Sequence, residues 1–215
     1  MFNISDNKSH EEKKAPQISI IKYILKSKLQ TVYIIFIFIG NISMSTALGL
    51  KMLTFTNYLG FSDSGATNYF LIIGLIADGI GILAFKFLTS KNDYITITIK
   101  FGIRLILYII AFISNNIWIT LIAITWSLLI STAYENICDG YYINDVKNEY
   151  QLEYTNFRYI VKYLGESIGI FLCGLMYKMG LNYMFGLSSV FLIYQLFMSY
   201  YLIYLRHNNK LNKEQ

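Results

Sequence analysis

The segment Phe101–Ile113 reads FGIRLILYIIAFI, and one charged side chain, Arg104, stands inside this apolar run. Asp78 and Glu166 also lie deep within stretches of Ile, Leu, Phe and Gly. A charge at the centre of a bilayer costs about 2.5–3.5 kcal/mol on insertion scales, so it rarely occurs there without a partner or a function. These residues predict a polytopic membrane protein with a polar pathway through its interior.

The composition also favours a membrane protein. Of 215 residues, 55% are hydrophobic, 17% are aromatic and only 14% are charged. A soluble domain has about 25% charged residues, so this chain has too few to cover a water-exposed surface. At about 20 residues per membrane helix, its length accommodates six spans with short loops. We therefore expect an all-α fold, a bundle of six transmembrane helices.

Other function classes find little support. The net charge of +5 comes from Lys and Arg clusters between apolar runs, without the basic stripe that nucleic-acid binding requires. Cys138 and Cys173 lack metal-ligand spacing and are interpreted as small buried residues. His10 and His207 have no companions, and the sequence has no phosphate loop, HExxH or GxSxG motif. We predict no enzyme activity, metal, cofactor or nucleic-acid partner.

The chain up to Lys28 is polar and basic, whereas a secretory signal has a short basic start, an apolar core and a cleavage site. The first apolar run is therefore expected to be a retained membrane helix. We predict a cytoplasmic segment over 1–28, a transmembrane domain over 29–205 and a cytoplasmic tail over 206–215. The predicted spans are 29–56, 67–89, 94–113, 116–138, 156–178 and 181–205.

Basic residues alternate between the two ends of these spans. The N-terminal segment holds six Lys, whereas Asn57–Ala66 and Ser114–Asn116 hold neither Lys nor Arg. Lys178, in the fifth connection, is the exception. Because Lys and Arg collect on the cytoplasmic side, we place both termini in the cytoplasm and the protein in the cell membrane.

Asp78 lies on a face of small residues in the second span. Gly74, Ala77, Asp78 and Gly81 are three or four residues apart and share one helical face. Small residues on such a face let another helix approach closely. Two interpretations of Asp78 remain: a buried acid held by a polar neighbour, or a site that takes up a proton or contacts a substrate.

Arg104 lies deep in the third span. Lys100, one turn nearer the cytoplasm, can extend to the interface, whereas roughly 15 Å of helix separates Arg104 from the start of the span. We expect Arg104 to pair with Asp78 or another acid. Two interpretations of that ion pair remain: it stabilises the structure alone, or it is part of a switch that couples transport to proton movement.

Glu135 and Asp139 lie four residues apart near the cytoplasmic end of the fourth span. Two like charges at this spacing favour protonation of one of them if both are desolvated. A solvated gate region and a direct role in transport are the two alternatives for this pair.

Glu166 lies beside a stripe of small residues in the fifth span. Gly165, Gly169 and the nearby Gly174 are predicted to pack against another helix. Burial among apolar neighbours favours the neutral, protonated form of an acid. With Arg104 as the one deep cation, Asp78 and Glu166 cannot both have a full positive partner. We therefore predict proton coupling, with Glu166 as the proton-binding acid.

The segment Asn156–Gly180 has Arg158 near its start, spaced glycines and a closing glycine. It resembles the eleventh helix of the major facilitator superfamily. The run Leu59–Gly65, before a Gly-rich span, is similar to the approach to that family's eighth helix. Arg104 stands where the sugar and nucleoside proton symporter branch often has an arginine in its ninth helix. The resemblance implies the C-terminal six helices of such a carrier, with 1–28 as its central loop.

This resemblance implies a half-size or truncated secondary transporter that carries a small solute or drug with protons. The turn Phe87–Asp93 departs from the family in lacking a glycine and paired arginines. The family places its substrate between two six-helix halves, so we expect a second half, from a homodimer or a separate chain. The alternatives are a non-transporting remnant or membrane interaction protein that pairs with another carrier, and a permease subunit of an ATP-driven importer. The last would need a clear docking sequence in Gly140–Tyr154.

Overall fold

The described part of the chain is helical and contains no strand. The computed structural model describes the backbone of residues 17–49, 56–57, 60, 62–88, 93–114, 116–143 and 145–214. Within these ranges, the side chains that lie outside the description are those of residues 17–19, 74, 77–78, 80–88, 93–97, 99, 129–141, 181 and 209–214. The prediction of an all-α fold is confirmed for this part of the chain.

A short helix precedes six long ones across these ranges. The helices are α1 (Gln17–Lys26), α2 (Lys28–Leu48), α3 (Asp63–Leu88), α4 (Asp93–Ser114), α5 (Ile117–Ile143), α6 (Gln151–Met179) and α7 (Leu181–Glu214). A 3-10 turn, Asn148–Tyr150, comes directly before α6. Each predicted span overlaps one long helix. However, α6 begins at Gln151, before the predicted start of its span, and α7 continues through residues predicted as a tail.

Local chemistry explains two of these boundaries. Ser27 has an extended backbone, and its hydroxyl accepts a hydrogen bond from the Gln30 amide at 3.4 Å, so it caps the start of α2. At the end of α6, Gly180 has φ +141°, a backbone conformation that glycine adopts without a Cβ clash. Its amide donates to the Met176 carbonyl, which closes the last turn of the helix.

Three segments among the described residues are long and apolar enough to cross a membrane. They are Lys28–Leu48, Asn148–Met179 and Asn182–Asn208. A shorter apolar segment, Ile117–Leu128, lies within α5. Membrane-spanning helices are therefore supported by length and composition for three elements, whereas the bundle of six spans remains a prediction.

The bundle is apolar outside and partly polar inside. Leu75, Ile113 and Phe197 are 74%, 75% and 69% exposed, and they belong to a larger set of exposed Ile, Leu and Phe side chains on α3 to α7. Buried positions, in contrast, include Ser43 and Gln195. Soluble monomers rarely expose contiguous apolar patches of this kind. The distribution suits a protein whose outer surface faces lipid.

Contacts between the long helices follow a three-plus-three pattern. The most extensive contacts join α2 to α6 and α7, α5 to α3 and α4, and α4 to α7. Exchanging α2–α4 with α5–α7 converts four of these contacts into one another and the contact between α4 and α7 into itself. The contact between α6 and α7 has no counterpart of similar extent in the described part of the chain. The pattern of helix contacts is therefore approximately two-fold.

One end of the bundle is held by a polar and aromatic cluster. The Tyr154 hydroxyl donates to Gln30 Oε1 at 2.5 Å, and Gln30 Nε2 donates to the Tyr142 carbonyl at 3.3 Å. The Tyr142 ring stacks on Tyr33, with centroids 4.3 Å apart. The cluster joins the start of α2 and of α6 to the end of α5. This is the end predicted to face the cytoplasm.

Candidate functional site

Arg104 lies near the middle of α4 and is 5% exposed. Its Nε donates a hydrogen bond to the Tyr108 hydroxyl, one helical turn further on, over 3.1 Å. The guanidinium carbon is also 5.1 Å from the centroid of the Tyr108 ring. Tyr108 is itself fully buried and packs edge-on against Phe185 of α7, with centroids 5.3 Å apart. The arginine is therefore held from one side by its own helix.

Two hydrogen bonds converge on the Tyr108 hydroxyl. It accepts from Arg104 Nε and, at 2.8 Å, from the Ser127 hydroxyl of α5. The Ser127 hydroxyl also lies 2.8 Å from the Ala123 carbonyl oxygen, so its one proton is shared between two acceptors. Tyr108 thus links Arg104 to α5.

The outer end of the Arg104 guanidinium has fewer hydrogen-bond partners than its Nε. Nη2 is buried, and no described residue accepts a hydrogen bond from it. A buried donor without a partner costs about 1–3 kcal/mol, and more when the group is charged. Lys100, one turn earlier, is also buried, with its ammonium 4.9 Å from the centroid of the Phe101 ring. Two cationic side chains therefore lie inside the bundle on α4.

The predicted partner of Arg104 lies outside the described side chains. Asp78 belongs to α3, and Glu135 and Asp139 belong to α5, but the structure describes only the backbone of all three. The same holds for Gly74 and Gly81. The pairing of Arg104 with Asp78, the role of the acids on α5 and the packing face around Asp78 therefore remain predictions.

Glu166 is half-buried on α6. Its helix packs against α2 and α7 but shares no extensive contact with α4. The structure therefore does not bring Glu166 and Arg104 together. They occupy separate parts of the bundle, so a coupled role would have to act through the intervening helices.

The glycines of α6 differ in their surroundings. A Cβ placed on Gly165 would lie 2.7 Å from the Phe38 carbonyl oxygen, and one on Gly169 would lie 2.8 Å from the Ile42 carbonyl oxygen. Both glycines therefore bring α6 against the backbone of α2. A Cβ on Gly174 would meet nothing within 4 Å among the described residues. Gly174 lies on an open face of the helix.

The sequence analysis did not identify several polar residues that lie in the interior of the bundle. Ser43 on α2 and Ser188 on α7 form a reciprocal pair, in which each hydroxyl contacts the other residue's carbonyl oxygen, at 3.0 and 2.5 Å. Gln195 is buried, and its Oε1 has no hydrogen-bond partner in the described part of the chain. In the sequence, each of these residues is an isolated polar side chain within an apolar run, and this pattern could have indicated burial. The sequence does not show which helices these residues join, because that depends on how the helices pack.

Comparison with known proteins leaves the chain without an assigned relative. No family model matches it, and neither a curated protein nor a solved structure does so. The basis for a functional proposal is therefore the chain's own geometry: a buried arginine with an unfilled donor, inside an all-helical bundle with an apolar exterior.

Proposed function

We propose that this chain is one half of a secondary carrier of the major facilitator type, which moves a small solute or drug across the cell membrane together with protons. The observation that carries the proposal is the buried Arg104 network at the middle of α4, enclosed by helices with apolar outer faces. An ionisable group at such a depth generally marks a solute or ion pathway.

The contact pattern of the bundle supports this proposal. Each six-helix half of a major facilitator carrier contains two three-helix repeats. The exchange of α2–α4 with α5–α7 reproduces the most extensive helix contacts here. A permease subunit or a plain membrane anchor does not require this repeat, so the pattern favours the carrier over the other interpretations.

A second half would complete the pathway. On α6, Tyr159 and Tyr163 are 43% and 59% exposed and stack with centroids 6.4 Å apart. Glu166 follows three residues after Tyr163, so it lies near the same face. A face with hydroxyls and a carboxyl group is poorly suited to lipid hydrocarbon. We assign it to the contact with the second six-helix half, supplied by another copy or by a separate chain.

Within this proposal, Glu166 is the proton-binding acid. It is half-buried and lies near the face of α6 that we assign to the second half. Asp78 is a second candidate, and Glu135 with Asp139 would form a gate near the cytoplasmic end. Arg104 would contact the solute or the coupling acid.

The proposal can be tested in proteoliposomes that contain the full chain and a trapped pH-sensitive dye. Solutes from a panel of sugars, nucleosides, amino acids, organic acids and cationic drugs are added one at a time. A carrier gives a proton flux with at least one solute, and Glu166→Gln abolishes the flux. Lys22→Gln, which alters an exposed lysine of α1, serves as the matched control and should leave the flux unchanged.

The mass of the detergent-solubilised protein separates the two proposed functions. A dimer, or a stable complex with a second six-helix chain, agrees with the carrier. A folded monomer that moves no solute of the panel would contradict the carrier. That result would favour the alternative, a non-transporting membrane interaction protein.

A further inference from the structure

The geometry around Arg104 points to the chemical class of the solute. We propose that the Arg104 guanidinium binds the carboxylate or phosphate group of a small anionic solute. This inference rests on the proposed carrier function, because it names the substrate class of the same site.

The hydrogen bonds of Arg104 divide its guanidinium into an occupied and an unoccupied part. Nε donates to the Tyr108 hydroxyl, which also accepts from Ser127 of α5. Tyr108 is fully buried, so this hydrogen bond holds the guanidinium in one orientation. Nη2 is buried and has no acceptor among the described residues. A donor that is fixed, charged and buried favours an incoming acceptor, because little reorganisation is needed.

Two cationic side chains are buried on α4. Lys100 and Arg104 are both buried on α4, four residues apart, so they lie on one side of the helix. The described acids lie elsewhere: on the loops and helix starts, or, for Glu166, on a helix without extensive contact with α4. Among the described residues, therefore, no carboxylate offsets the positive charge of Arg104.

The geometry of the guanidinium also indicates which chemical groups of a solute would bind to it. Its planar N–H groups match the paired oxygens of a carboxylate or phosphate, and charge-assisted bonds of this type are stronger than neutral ones. A neutral sugar or a cationic drug lacks the complementary charge. The burial of Arg104, 95% of whose surface is covered, restricts the ligand to a small group that can enter the bundle.

Binding can be measured on the full chain in nanodiscs, independently of transport. Trp126, the residue before Ser127, is half-buried, whereas Trp118 is 67% exposed. In a Trp118→Phe background, the tryptophan fluorescence comes from Trp126 of α5 alone. The probes are acetate, benzoate and inorganic phosphate, with uncharged benzamide as the neutral counterpart of benzoate. We expect saturable quenching by at least one anion and none by benzamide.

Three variants connect the signal to the guanidinium. Arg104→Gln should weaken anion binding about 10- to 100-fold, the loss of a charge-assisted hydrogen bond. Arg104→Lys retains the charge without the planar fork, so it should lie between wild type and Arg104→Gln, and it provides a second test if Arg104→Gln does not fold. Lys22→Gln, on the exposed face of α1, should bind like wild type.

The inference is overturned if no anion quenches Trp126, if benzamide binds as well as benzoate, or if both Arg104 variants bind as wild type does. Nanodiscs of phosphatidylcholine alone, compared with discs that contain phosphatidylglycerol, distinguish a free solute from a lipid headgroup. Loss of probe binding through competition by phosphatidylglycerol would assign the site to lipid and overturn the solute.

The two proposals fail in different ways. If anion binding depends on Arg104 but no solute drives a proton flux, the anion-binding proposal stands and the carrier proposal is refuted. If a neutral solute drives a proton flux but no anion binds at Arg104, the carrier proposal stands and the anion-binding proposal is refuted.

Discussion

The interface between α2 and α6 and the interface between α4 and α5 are built differently. Gly165 and Gly169 let α6 approach the backbone of α2, so the contact depends on shape. Between α4 and α5, a buried hydrogen bond joins Ser127 to Tyr108, and Arg104 retains a buried donor without a described partner. A close-packed interface stabilises the fold, whereas an unfilled donor is a cost that a ligand or partner can offset. The first interface is therefore assigned to the scaffold and the second to the site.

The largest effect on stability is expected from Gly169→Leu. A Cβ on Gly169 would lie 2.6 Å from Ser45 Cβ and 2.8 Å from the Ile42 carbonyl oxygen, and backbone atoms cannot move aside cheaply. Overpacking costs about 1–3 kcal/mol, which corresponds to a fall in Tm of roughly 2–12 °C for a chain of this size. Thermal unfolding in detergent, followed by tryptophan fluorescence, measures it.

Gly174→Leu is the matched control, because the same substitution is made five residues away, where a Cβ would meet open space. Its Tm should equal that of wild type or exceed it, since leucine favours helix more than glycine does. Equal losses of Tm for the two leucine variants would show that α6 does not pack on α2 through Gly169.

Arg104→Gln should separate function from stability. If Arg104 has no acid partner, its replacement removes the cost of burying an unpaired charge together with one hydrogen bond, so we expect a Tm within about 2 °C of wild type. Solute-driven proton flux, in contrast, should fall at least tenfold. A large fall in Tm together with retained flux would place Arg104 in the scaffold and remove the contrast between the two interfaces.

The predicted Arg104–Asp78 pair can be examined by a double-mutant cycle of Asp78→Asn and Arg104→Gln. If the two side chains pair, each single change leaves a charge unmatched, and the double change costs less than the sum by about 0.5–3 kcal/mol. Additive changes in unfolding free energy would show that Asp78 does not neutralise Arg104. Arg104 would then depend on another acid or on an external anion.

The sequence predicted the helices well because apolar runs of membrane length must satisfy their backbone hydrogen bonds internally. It predicted helix ends less well. Residues 206–214 contain neither Gly nor Pro, so nothing in them stops α7, although their polarity is typical of a tail. Gly165 and Gly169 follow the four-residue spacing of one face, whereas Gly174, five residues after Gly169, is rotated away from it. A prediction that includes every nearby glycine, without regard to the side of the helix on which it lies, therefore assigns too many residues to the packing face.

The site was predictable only in part. Arg104 is evident from its apolar context, and Tyr108 lies four residues later, where a helix brings side chains together. The contact between Ser127 and Tyr108 could not be predicted from the sequence, because it depends on how α5 aligns with α4. The satisfaction of Nε and the lack of a described acceptor for Nη2 also depend on this alignment. Sequence therefore locates the charge, and tertiary packing determines which of its donors remain open.

The smallest effect on function is expected from Tyr108→Phe, which keeps the charge of Arg104 and tests how the site is organised. The change removes the hydroxyl that accepts from Arg104 Nε and from Ser127, while keeping the ring that packs against Phe185. One hydrogen bond contributes about 0.5–1.5 kcal/mol, so a fall in Tm of roughly 1–6 °C is expected. Tyr194→Phe, on the exposed face of α7, is the control. If Tyr108 orients the guanidinium, Tyr108→Phe also weakens benzoate binding while the charge is unchanged, whereas a role in packing alone leaves binding at the wild-type value.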